Sequence, residues 1–194
     1  ILVTGAAGYI GGTFTYEALK RGFNVLGIDN FSNSSYLQIE KIKKKFNKNF
    51  FFLKKDLLDN DLHKIDNISE VDAIFHFAAL KSVPESENNP NEYFKNNVEG
   101  TRRLLNLMQH ASINKLIFSS SAAVYGDQDR QPISELAELK PKSVYADTKK
   151  ISEDILRDSA ESNNLKIISL RYFNPLGSHK DKVISESLEG SSGN

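Results

Sequence analysis

Tyr145-Ala146-Asp147-Thr148-Lys149 sets a phenol and an ammonium four residues apart, on one face of a helix. A free phenol ionises near pH ~10 and is a poor base at neutral pH. A nearby ammonium, and a cationic nicotinamide ring if one is bound, both favour the phenolate and bring it toward working pH. Many ordinary helix surfaces carry such a pair. Here it follows Ser119-Ser120-Ser121, a run of hydroxyls at the end of an apolar strand, by one loop. Ser121 is therefore placed to hydrogen-bond the same substrate oxygen that Tyr145 deprotonates. A second constellation is Thr4-Gly5-Ala6-Ala7-Gly8-Tyr9-Ile10-Gly11, with glycines spaced G-x-x-G-x-x-G between a strand and a helix. Glycine at Gly5, Gly8 and Gly11 permits a tight turn and close approach of backbone to a pyrophosphate. The helix N-terminus adds free N–H groups and partial positive charge. Asp29 ends the next strand, 18 residues after Gly11. A carboxylate there accepts from ribose hydroxyls and repels a 2′-phosphate, which predicts NAD over NADP. Without a ligand the same residues read as a glycine-rich turn and a loop carboxylate.

These groups need a scaffold, and the apolar pattern supplies one. Strands are predicted at Ile1–Val3, Val25–Asp29, Phe50–Leu53, Val71–Phe77, Leu116–Phe118 and Lys166–Tyr172. Helices are predicted over about 9–21, 36–46, 92–111 and 144–162. Short strands that are apolar throughout and alternate with helices mean a parallel sheet covered on both faces. The fold class is α/β, a Rossmann-like doubly wound parallel sheet. Ligands in such sheets bind beyond the carboxyl ends of the strands.

Lys+Arg and Asp+Glu are 25 each, so the net charge is zero, and neither a nucleic acid nor a membrane surface meets a global basic field. Cysteine is absent, which removes thiolate metal sites, disulfides and cysteine nucleophiles. No metal site is expected: His63, His76, His110 and His179 lack ligand spacing, and His76 reads as a structural hydrogen-bonder. No apolar run approaches the roughly 20 residues of a membrane span, and no signal peptide opens the chain. A soluble cytoplasmic protein is the expectation. The first residue is not Met, so a residue or two is expected to precede it. Lysines 41, 43, 44, 45, 48, 54 and 55 read as a solvated face. Glu85 and Glu87 receive no role. Leu104, Leu105, Leu107 and Met108 read as core or as a helical dimer face.

Six stretches together resemble the extended short-chain dehydrogenase/reductases, specifically the UDP-glucose 4-epimerase family. They are residues 4–11, Asp29-Asn30-Phe31-Ser32-Asn33-Ser34, 76–83, Asn96-Asn97-Val98-Glu99-Gly100-Thr101, 119–126 and Arg171-Tyr172-Phe173-Asn174-Pro175. The resemblance implies an NAD cofactor held as a prosthetic group. It implies Tyr145 as catalytic base, Lys149 as its partner and ribose ligand, and Ser121 as the bridging hydroxyl. Tyr9 and Ile10 fall in the pyrophosphate turn, and Asp29 to Ser34 on the adenosine side. Asp56 and Leu57 correspond to an adenine contact. Phe77, Ala78, Ala79, Leu80, Lys81 and Asn96 form the cofactor floor, joined by Ser119, while Phe173 lies on the nicotinamide side. Lys81, Ser121, Tyr145 and Asn174 are the implied substrate contacts. The implied reaction inverts C4 of a UDP-hexose through a 4-keto intermediate, in a homodimer.

The resemblance covers residues 1 to about 178, read as the NAD-binding domain. It implies a small C-terminal substrate domain largely absent from this chain, with 179–194 a Ser/Gly-rich loop leading toward it. Val144 stands where these epimerases usually have Pro, Thr148 where Ser is usual and Ala123 where Thr is common. The remaining alternatives are an epimerase of UDP-N-acetylglucosamine or UDP-glucuronate, a nucleotide-sugar 4,6-dehydratase, and an inactive NAD-binding module. Dehydration needs an acid–base pair after Ser121, and Ala122 and Ala123 cannot transfer a proton.

Overall fold

In the computed structural model, which describes residues 1–177, the predicted sheet is present. Its strands are β1 (Leu2–Thr4), β2 (Val25–Asp29), β3 (Phe50–Lys54), β4 (Ile74–His76), β5 (Lys115–Ser121) and β6 (Lys166–Tyr172). The order is β3-β2-β1-β4-β5-β6 and every neighbouring pair is parallel. The order reverses between β1 and β4, which opens a crevice past their carboxyl ends. Among the described residues no helix is long and apolar enough to cross a membrane, and no cluster of three acidic or histidine side chains is set to hold a metal.

Among the described residues six α-helices flank the sheet: α1 (Tyr9–Lys20), α2 (Tyr36–Lys45), α3 (Val83–Asn88), α4 (Pro90–Tyr93), α5 (Gly100–His110) and α6 (Val144–Asn163). Alternate strand residues face opposite sides, so two cores form. Val3, Val25 and Phe50 pack with Tyr16 and Leu19 of α1 and Ile39 and Ile42 of α2. Leu2, Ile28, Ile74, Leu116 and Phe118 pack with Leu104, Leu107 and Met108 of α5 and Leu156 of α6. The leucines and methionine of α5 are thus core, and Leu105 is partly buried against the same cluster.

The structure corrects several boundaries. The helix predicted over 92–111 starts at Pro90 and is interrupted by a π-helical segment, Phe94–Glu99. α3 lies in a stretch read as loop, because Val83-Pro84-Glu85-Ser86-Glu87-Asn88 has no apolar period. β4 is shorter than Val71–Phe77 because β1 offers only Leu2–Thr4 to pair with it. β5 is longer, since Ser119, Ser120 and Ser121 pair with Leu170, Arg171 and Tyr172. The expected loop over 179–194 lies outside the described residues.

Candidate active site

The glycine turn is built by close approach. Gly5 has φ +71°, and a Cβ there would stand 2.6 Å from the Ala78 nitrogen, so the turn lies directly on the loop after β4. A Cβ on Gly11 would stand 2.1 Å from the Gly5 carbonyl oxygen. Side chains at either position would push helix and turn apart. Gly8 is the N-cap of α1 and offers no capping side chain, and no acidic residue stands in the first turn. The helix therefore presents its N–H groups to an incoming anion. These features fit a dinucleotide pyrophosphate.

Asp29 closes this half of the site. Its Oδ2 accepts from the Ala7 N–H at 3.0 Å, and its Oδ1 accepts from the Phe31 N–H at 2.9 Å and the Ser34 hydroxyl at 2.7 Å. One carboxylate so ties the glycine turn to the 30–34 loop. Phe31 in that loop has φ +62°, unusual for a bulky residue. Its ring packs 5.5 Å from that of Phe52. Asp56 accepts from Asn30 Nδ2 at 2.9 Å, which places the predicted adenine contact beside the same loop. The Leu57 side chain packs in the core. Tyr9 donates its hydroxyl to the Gly177 carbonyl, linking the glycine turn to the segment after β6. In that segment Phe173 and Asn174 are exposed, at the carboxyl end of the sheet.

The second half gathers Tyr145, Lys149 and Ser121 at the carboxyl end of β5. The Tyr145 phenol is pushed up by burial, an effect the neighbouring Ser121 hydroxyl only partly offsets. Lys149 is buried, donates to the Ser119 carbonyl at 2.9 Å and stands over the Phe118 ring at 4.9 Å. Burial lowers its ammonium to about 7, against the upward pull of Glu153. Its Nζ lies 6.0 Å from the Tyr145 ring centre. Burial dominates the phenol, and the Lys149 ammonium is not among the groups that shift it.

Two supporting elements were not read from the sequence. Asn97, in the π segment, accepts from the Leu80 N–H at 2.9 Å and donates to the Leu80 carbonyl and the Thr148 hydroxyl, both at 3.0 Å. It ties the predicted cofactor floor to the catalytic helix, whereas the predicted Asn96 donates to Asn97 itself at 2.9 Å. Behind Lys149, Arg171 makes a fork with Glu153, its Nη2 at 2.6 Å and its Nε at 3.0 Å. Ser120 donates to the same carboxylate, and Arg171 also donates to the Tyr125 hydroxyl at 2.9 Å. The i, i+4, i+8 spacing of Tyr145, Lys149 and Glu153 is the signal that carried this. His76 is buried as expected: it contacts the Thr4 hydroxyl at 2.7 Å and the Thr101 hydroxyl at 3.3 Å. Thr101 gives its own proton to the Asn97 carbonyl, so His76 must donate from Nε2 and accept at Nδ1. Burial lowers its pKa to about 3, with the Lys149 charge adding to the effect.

Comparison with known proteins follows the same pattern. The NAD dependent epimerase/dehydratase family model matches residues 1–189. The chain is similar to UDP-glucose 4-epimerases from Erwinia amylovora, 42% identical over 193 residues, and Bacillus subtilis (strain 168), 40% identical over 194 residues. Each alignment covers 98% of this chain and 57% of the relative, so the chain spans little more than half the length of these enzymes. Among solved structures, UDP-glucose 4-epimerase from Stenotrophomonas maltophila, with bound NAD and formylated UDP-arabinopyranose, superposes with a TM-score of 0.93 at 39% identity. That match covers 100% of this chain and 58% of the other. The Bifidobacterium longum enzyme, in complex with NAD+ and UDP, gives 0.90 at 36% identity over 95% of this chain and 56% of its own. The family model matches nearly the whole chain, and the chain belongs to the NAD dependent epimerase/dehydratase family.

Proposed function

We propose that this chain is the cofactor-binding and catalytic part of a UDP-glucose 4-epimerase with tightly held NAD. The observation that carries the reading is the convergence of Ser121, Tyr145 and Lys149 at the carboxyl end of β5, with Lys149 Nζ 6.0 Å from the Tyr145 ring centre, beside the crevice where the sheet order reverses. When bound, NAD supplies a reversible hydride acceptor for C4 of the sugar. The uncapped first turn of α1 and the glycines beneath it hold the pyrophosphate. Asp29, through Ser34 and the 30–34 loop, meets the adenosine ribose. Residues 77–81 and Asn96 line the floor, with Phe173 on the nicotinamide side. Tyr145 takes the proton from the sugar 4-hydroxyl and returns it to the 4-keto oxygen after the sugar has turned. Ser121 hydrogen-bonds that oxygen throughout. Lys149 holds the nicotinamide ribose and lends charge to the phenolate.

Ala122 and Ala123 favour epimerisation over 4,6-dehydration, because neither can move a proton. Lys81 and Asn174 are the proposed sugar-nucleotide contacts in this chain. The intact protein is proposed to be a cytoplasmic homodimer, which sedimentation of the purified protein checks. The deciding experiment uses the intact protein beside Tyr145→Phe. Bound nucleotide is released with acid and identified, and UDP-glucose/UDP-galactose interconversion is followed without added NAD. One NAD per subunit in both, with turnover only in the wild type, is the expected result. NAD without turnover on these sugars redirects the reading to N-acetylated or acidic UDP-sugars. Absence of a bound dinucleotide overturns it.

A further inference from the structure

The first turn of a helix carries N–H groups with no partner inside the helix. In α6 this turn holds Tyr145 at its second position, so the phenol hangs on the part of the helix most given to fraying. Each of these donors nevertheless has an acceptor. The Asp147 N–H makes the first intrahelical bond, to the Ser143 carbonyl at 2.9 Å, and the Ala146 N–H bonds the Ser143 hydroxyl at 3.2 Å, which is ordinary capping. The other two acceptors come from α3, almost sixty residues away in sequence. The Val144 N–H donates to Glu87 Oε1 at 2.8 Å, and the Tyr145 N–H donates to Ser86 Oγ at 3.1 Å.

We propose that Glu87, seconded by Ser86, is a positioning residue for the catalytic phenol: α3 clamps the first turn of α6 and so fixes where Tyr145 stands over the cofactor floor. Three observations support this. Ser86 is fully buried, and its own proton goes to the Val83 carbonyl at 2.6 Å, so its lone pairs are free for Tyr145. α3 is itself anchored, since Glu85 accepts from the hydroxyl of buried Tyr93 at 3.0 Å. α3 also follows directly on residues 77–82, the floor loop, with Ser82 as its N-cap. Cofactor floor and catalytic base are thereby built from one continuous support. The Glu87 carboxylate suits the positive end of α6 and makes a charge-assisted bond there. Misplacing a catalytic group by about 1 Å can cost 10²-fold in rate. A partner that only tightens the first turn is worth less than that.

The inference rests on the epimerase reading, and its test separates the two. In the intact protein, Glu87→Ala is expected to lower kcat roughly three- to tenfold with KM for the UDP-sugar within about twofold, the pattern of a lost transition-state geometry. Glu87→Gln keeps an acceptor oxygen and is expected to recover most of that loss. Val144→Pro removes the donor at a helix position that tolerates proline. In that background Glu87→Ala is expected to change kcat less than about twofold, because its partner is already gone. Amide exchange at Tyr145 and Ala146, measured on the same proteins, should quicken in Glu87→Ala. An unchanged kcat together with unchanged exchange overturns the clamp, as does an equal loss in the Val144→Pro background. If the wild type binds NAD but turns over no UDP-sugar, the exchange measurement still decides the clamp, and only the epimerase reading falls.

Discussion

The two halves of this crevice are built by different means. The half from β1 to β3 holds its shape with backbone fit and one carboxylate, Asp29. Its glycines permit contacts that a Cβ would block, and Thr4, Thr15, Asp29 and Gln38 are its buried polar residues. The half from β4 to β6 holds its shape with side chains. His76, Ser86, Asn97, Thr101, Ser120, Thr148, Lys149, Ser152 and Glu153 are all buried there. The pyrophosphate needs only N–H groups and a helix end, which any sequence with the right glycines supplies. A proton must be moved at one atom, and a phenol is placed only by the groups that fix its helix. Buried polar groups demand partners and therefore specify one arrangement.

This contrast can be broken by experiment. The largest effect belongs to the catalytic half: Tyr145→Phe should lower kcat by ~10²–10⁴-fold, the range for losing a general base. Bound NAD should be retained, which assay of acid-released nucleotide checks. Gly11→Ala attacks the other half. Its Cβ would lie 2.1 Å from a backbone oxygen, so about 1–3 kcal/mol of stability should be lost, as in overpacked cores. NAD content should fall with it, read by thermal unfolding and nucleotide release. If Gly11→Ala instead spared NAD, backbone fit would not be what holds that half.

A third test reads the buried ammonium. Burial sets the folded pKa of Lys149 to about 7 against an ordinary 10.5. The unfolded chain thus binds more protons between those values, and stability of the NAD-free protein should rise with pH through that window, by at most ~1.4 kcal/mol per pH unit. Below pH 7 the cost of the buried charge is fully present. Lys149→Met should flatten this rise in denaturant titrations at pH 7 and 9 and also lower turnover. The smallest effect is expected at Ala123, which is half-buried next to Val124. Ala123→Thr adds one hydroxyl near the proposed sugar site. A single hydrogen bond is worth about 1 kcal/mol, so KM for the UDP-sugar should fall no more than about fivefold.

Several of these features were legible before any coordinates. β6 over Lys166–Tyr172 follows from its apolar, β-branched run, and α6 from Val144 from the helical period of the face it buries. The glycine turn and the Tyr145–Lys149 pair were legible because they are local: spacing along the chain already fixes their spacing in space. Glu87 was the opposite case. As an acidic residue in a stretch with no period it signalled nothing, and it acquired a role only when α3 came to rest against the start of α6. Asn97 was hidden in the same way. A break in helical period does not show in residue types, yet the π segment turns this side chain toward Leu80 and Thr148.

The sequence alone determined the parallel sheet, the glycine turn between β1 and α1 and the phenol and ammonium on one face of α6, since hydrophobic period and short motifs act over a few residues. Only the tertiary structure decided how those residues are held. It decided that Asp29 ties two loops together, that Lys149 is desolvated against Phe118 with Glu153 and Arg171 behind it, and that α3 caps the helix of Tyr145. The reason is physical: a buried polar group takes its partner from whatever the fold brings within hydrogen-bonding distance, and separation along the chain does not enter that choice.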